Sequence, residues 1–298
     1  FVRYVREAAR LADQTDDQGL QLAERSLLAF GCAFAGRLAE GIQACETAFQ
    51  RPPADPALGA EFTGYSPFLG LLCAQAWLLC RLGRLGEATA VCERAEPLGR
   101  AHGDNEVLTW LQLRRIELDV SCANPAAARD HARCALQTGE KSATPQARTV
   151  GLIVLGAAHR LNSQWDESVV VLEEAVGAAI SGANRMLEGW VRAELAEALL
   201  GRGELDRAEH EAQAAVTVAH AHHSRCDEVG AHLALAHTQL RRADAAALAR
   251  AEQALVRAQE LIDETSARAY QPEVHECRAH LARLRGDTLA ARREIEAA

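Results

Sequence analysis

Along most of the chain, packing residues recur at i, i+3, i+4 and i+7, as at Leu152, Leu155, Gly156 and His159. That spacing lays one stripe along an α-helix. The stripes break at clusters of polar or helix-stopping residues: Pro52, Pro53 and Pro56; Gly103, Asp104 and Asn105; Thr144 and Pro145; Ser181, Gly182 and Asn184; Ser224; Thr265 and Ser266. Every segment between them reads as helix, and none requires a strand. A leading helix is predicted over residues 1–13, followed by paired helices to the end.

The pairs share a joint, a small residue followed a few positions on by an acidic and an Ala-like one. It falls at Gly36, Gly83, Ala123, Ser163, Gly203, Ala243 and Gly286, with successive spacings of 47, 40, 40, 40, 40 and 43. Self-similarity at such a period marks a repeat array. Small residues also sit about seven positions before the joint and five and twelve after it, where two antiparallel helices approach most closely. The fifth unit has Ala196, Gly203, Ala208 and Ala215; the fourth has Gly156, Ser163, Ser168 and Ala175; the first and second have Ala29, Gly41, Ala48 and Ala76, Ala88, Ala95. This is the tetratricopeptide (TPR) arrangement with helices longer than those of a 34-residue repeat. The predicted fold is all-α: a right-handed TPR-like superhelix of about seven hairpins, one domain over 1–298, with three extra residues after Ala243.

Composition narrows the function. Aromatic residues are 4% of the chain, and its abundant Ala and Leu favour helices. A formal charge of −9, from 41 Asp and Glu against 32 Lys and Arg, opposes direct nucleic-acid binding. Nine cysteines, without a C-x-x-C pair, suggest buried thiols in a reducing compartment rather than a disulfide framework or zinc site. No apolar run is long enough to span a bilayer, so a cytoplasmic location is expected. The start at Phe1, the single Met186 and the ending in REIEAA suggest a piece of a larger protein.

Three segments go further: GYSPF at 64–68, GWVRAELAEALLGRGELDRAEHEAQAAV from Gly189, and ETSARAYQPEVHECRAHLARLRGD from Glu264. They resemble the C-terminal TPR region of bacterial multidomain regulators that join a class III adenylate or guanylate cyclase to an AAA-type P-loop ATPase. The helical-repeat region of large ATP-dependent LuxR-type activators is a related resemblance. Either implies a regulatory array serving catalytic or DNA-binding domains elsewhere. The chain itself has no G-x-x-x-x-G-K-[ST] loop, and no catalytic residue, cofactor or metal is expected.

In the TPR register, the first helix of each hairpin presents its groove-facing positions as Trp77, Trp110, Glu117, Arg160, Trp190, Glu197, His237, His280 and Arg283. Aromatic and Arg anchors of this kind suit a partner-binding surface for a protein, a peptide or a neighbouring domain, or for a small-molecule effector. The competing reading buries the Trp rings between hairpins. Trp165, just after its joint, is assigned to the core. His220, His222, His223 and Cys226 offer ligand types, but they straddle a helix end and read more simply as helix-terminal histidines. His232 and His237, five apart, lie on different faces. Cys73 and Cys80, seven apart, share a packing face. The pairs Arg114/Arg115 and Arg292/Arg293 are expected to be solvated or paired with nearby Glu.

Overall fold

The computed structural model describes all residues except Ala143 and Ala183, and only the backbone of Arg185 and Met186. Among the described residues the regular structure is helical throughout. It divides into two compact units, Phe1–Leu155 and Gly156–Ala298.

The first unit begins with α1 (Val2–Ala12). Its hairpins are α2 (Gln18–Phe34) with α3 (Leu38–Phe49), α5 (Pro67–Arg81) with α6 (Leu85–His102), and α7 (Asn105–Ser121) with α8 (Pro125–Ser142); a short α4 (Ala60–Thr63) precedes α5. Helix α9 (Pro145–Leu161) carries the boundary between the units. The second unit continues with α10 (Trp165–Ser181), then pairs α11 (Arg185–Arg202) with α12 (Leu205–Ala221), α13 (Arg225–Arg242) with α14 (Ala245–Thr265), and α15 (Gln271–Leu284) with α16 (Thr288–Ala297).

All seven joint residues have left-handed backbones: Gly36, Gly83, Gly203 and Gly286 at φ 70, 78, 87 and 78°, and Ala123, Ser163 and Ala243 at 49, 58 and 59°. That conformation ends a helix and turns its last carbonyls onto the next amides. The amides of Arg37, Arg84, Gln164 and Glu204 accordingly donate to the carbonyls of Cys32, Leu79, His159 and Leu199 at 2.8–2.9 Å. Helices α2, α5, α7, α9, α11, α14 and α16 start on side-chain caps. Asp17, Ser66, Asp104, Thr144, Asn184, Asp244 and Asp287 each accept from the amide three residues on.

The two irregular spacings have separate outlets. The long first interval is absorbed between α3 and α5, where α4 forms and Gly59, at φ 87°, lies so close to Gly19 that a side chain there would strike its carbonyl. The three extra residues after Ala243 lengthen α14 to 21 residues.

Packing follows the small-residue register. Ala29, Ala76, Ala88, Ala196, Ala208 and Ala215 are wholly buried. A Cβ on Gly156 would meet Leu172 at 2.5 Å, and the Ser168 hydroxyl donates to the Gly156 carbonyl at 2.8 Å. Trp165 departs from expectation. It is half-buried, with its ring lying over Gly201 of α11.

Candidate functional site

In the second unit, one turn of α9 and the first helices of the next three hairpins bring charged side chains together. Helical spacing puts Trp190, Glu194 and Glu197 on one face of α11, and Glu273, Cys277 and His280 on one face of α15. Arg160, from α9, donates from Nε to Glu194 Oε2 at 2.9 Å. His237 Nδ1, from α13, meets Glu197 Oε1 at 2.7 Å, and its Nε2 faces Glu273 Oε1 at 3.7 Å. The side chains are partly open to solvent, from 16% for Glu194 to 44% for Glu273.

These groups set one another's charge. Burial alone would lower the pKa of His237, but the Glu197 carboxylate and hydrogen bonding with Cys277 outweigh it, and the imidazole is raised well above its ordinary value. Burial pushes Glu197 the other way, yet His237 and then Arg160 bring it below the usual carboxylate range. Glu273 is raised, first by burial, with Glu197 and Glu194 adding to the effect against His237 and Arg160. Each member of the first pair thus favours its ionised form, whereas the surroundings of Glu273 disfavour its charge.

In the first unit the corresponding helix faces carry aromatic rings and a compact ion cluster. Trp77 is only 6% exposed; its ring packs edge-on to Phe34 at 4.6 Å and lies beneath the Arg114 guanidinium at 4.5 Å. Trp110 is half-buried between Phe30, at 5.5 Å, and Tyr65, at 4.9 Å. Glu117 bridges Arg81 and Arg114, each at 3.0 Å. Trp77 and Trp110 thus form an aromatic floor rather than projecting anchors.

Of the residues singled out in the sequence, Arg160, Glu197 and His237 converge in the second unit, and Trp77, Trp110 and Glu117 in the first. Trp190 is half-buried on the α11 face, while His280 and Arg283 are exposed on α15. Sequence reasoning missed Glu194, Glu273, Arg81, Phe30, Phe34 and Tyr65. The period held part of the signal, since Glu194 lies 34 residues from Arg160 and Glu117 lies 36 from Arg81, separations that bring successive first helices into register.

The other candidate chemistry disperses. His220 turns to Glu228 at 3.0 Å, His223 occupies a left-handed turn at φ 55°, and Cys226 is buried. Among the described residues no group of three His, Cys, Asp or Glu is placed to hold a metal ion. Burial raises the thiol pKa of Cys73 to about 12 and of Cys92 to about 11, and pushes Cys80 up as well, which suppresses the nucleophilic thiolate. Arg115 pairs with Glu96 at 2.6 Å and Arg292 with Glu296 at 2.8 Å. No helix among the described residues is long and apolar enough to cross a membrane.

No model of a known protein family matches the chain, and no curated protein matches it. A solved structure does: the crystal structure of a Signal Transduction ATPase with Numerous Domains (STAND) protein with a tetratricopeptide repeat sensor, from Pyrococcus horikoshii. The TM-score is 0.55 and the identity 15%, over 97% of this chain and 42% of that one. The chain therefore spans less than half the length of the protein it matches. The likeness shows the fold, a TPR-like run of helical hairpins.

Proposed function

We propose that this chain is a non-catalytic sensor and scaffold, a TPR-like array whose first-helix face binds a protein, a peptide or another domain of its own polypeptide. The carrying observation is the meeting of Arg160, Glu194, Glu197, His237 and Glu273 from four helices. Ionic groups held partly out of water stabilise a fold less than apolar residues of similar size, so their concentration on one face speaks for recognition rather than packing. The sensor role also draws support from the STAND protein with its tetratricopeptide repeat sensor. The finer reading, a C-terminal regulatory part of a cyclase- or ATPase-type bacterial signalling protein, rests on the sequence resemblance, and its cytoplasmic location on the cysteine usage and hydropathy of the sequence. The competing function is metabolite sensing, as the LuxR-type resemblance implies.

The two are separated by presenting a random peptide library to the immobilised chain beside a thermal-shift panel of metabolites. Enrichment of peptides that bind the wild type and not Glu197→Ala is the expected result. A metabolite that raises the melting temperature and loses that effect in Glu197→Ala, with no peptide enriched, would replace this reading with the metabolite one.

A further inference from the structure

Around the His237 imidazole the charges do not balance. Arg160 is engaged by Glu194 at 2.9 Å and His237 by Glu197 at 2.7 Å. Glu273 reaches the other nitrogen of the same imidazole at 3.7 Å, an ion-pair distance without a hydrogen bond. Three carboxylates therefore face two cations, and the surplus one has a side chain 44% open to solvent.

We propose that this face receives a basic peptide segment, with an arginine side chain of the partner seated on the Glu273 carboxylate. The proposal deepens the binding role assigned to this face and rests on it. A cation there would restore neutrality and supply the paired hydrogen bonds that a guanidinium makes to a carboxylate. The surplus carboxylate disfavours phosphate and other anions at this point. The rise in Glu273's pKa, led by burial, agrees with a carboxylate lacking sufficient compensation. The extent of the face favours a peptide over a small cation. Its residues come from four helices, α9, α11, α13 and α15, so an extended segment can cross several of them.

The test uses a fluorescein-labelled nonapeptide alternating Arg and Ala, a Glu/Ala peptide of equal length, and fluorescence anisotropy at fixed salt. The Arg peptide is expected to bind at least tenfold more tightly than the Glu peptide. Glu273→Gln should remove most of that preference, whereas Glu276→Gln, exposed on the same helix, should leave it within twofold. Glu273→Gln should also raise the melting temperature of the free protein, an outcome that a merely structural carboxylate would not give. Equal losses in the two variants would mean diffuse attraction and overturn the proposal, as would an unchanged preference in Glu273→Gln. If Glu273→Gln fails to fold, the wild-type comparison decides, and absence of a tenfold preference for the Arg peptide overturns it. Enrichment of only neutral or acidic peptides from the library would sink this inference and leave the general binding role standing.

Discussion

His237 and Glu197, forty residues apart in sequence, meet at 2.7 Å because each occupies the same place on the first helix of its hairpin. The contact ties α11 to α13 through charge as well as packing. Its contribution has a defined pH dependence. A histidine whose pKa is raised in the folded state gives its full stabilisation below the unfolded value, about 6.5, and loses it as pH rises through the folded value. The neighbours Arg160 and Glu273 share this environment, and it is His237 whose change of charge is moved above the ordinary histidine value.

Melting temperatures measured from pH 6.5 to pH 9.5 should therefore fall for the wild type, and fall less for His237→Gln. Equal alkaline slopes in both proteins would show that the pair does not contribute in this way.

Gln112 presents a different imbalance. It is 1% exposed, and among the described residues neither polar atom of its amide has a hydrogen-bond partner. The corresponding positions forty residues on either side are the buried Leu72 and Leu152. An unsatisfied buried polar group costs about 1–3 kcal/mol, so Gln112→Leu should stabilise the protein by about 1–2 kcal/mol. Urea denaturation measures this directly, and a lower midpoint with unchanged slope would contradict it.

Gly201 makes room for a ring. A Cβ built there would lie 2.5 Å from Cδ2 and 2.6 Å from Cζ3 of Trp165. Alanine is the better helix former by about 1 kcal/mol, yet overpacking of this kind typically costs about 1–3 kcal/mol. Gly201→Ala should be destabilising in the wild type and stabilising once Trp165→Ala has removed the obstacle. A substitution effect of the same sign in both backgrounds would rule out the steric account.

The hairpin architecture was legible in the one-dimensional pattern because its causes are local. A left-handed residue after a helix, a capping side chain before the next, and a small residue where two helices touch recur at sequence distances of a few residues. They recur again about forty residues on. Gly83, Gly203 and Ala208 announce their roles in this way, and Ser163 and Ala243 do so by position although neither is glycine.

The charged face and the aromatic floor were decided in three dimensions. Periodicity assigns a buried stripe to a helix packed on one side, but α5 packs against α2, α3, α6 and α7 and is apolar almost all round, so its pattern could not say where Trp77 points. Whether that ring is an anchor or a floor depends on Phe30 and Phe34 from α2 and on Arg114 from α7. Likewise, sequence spacing placed Glu197 and His237 on equivalent positions, while the stacking of hairpins supplied Glu194 and Glu273 and left one carboxylate in excess. Local rules govern a chain's conformation over a few residues; the balance of charge at a surface depends on groups that only tertiary packing brings within a few ångströms.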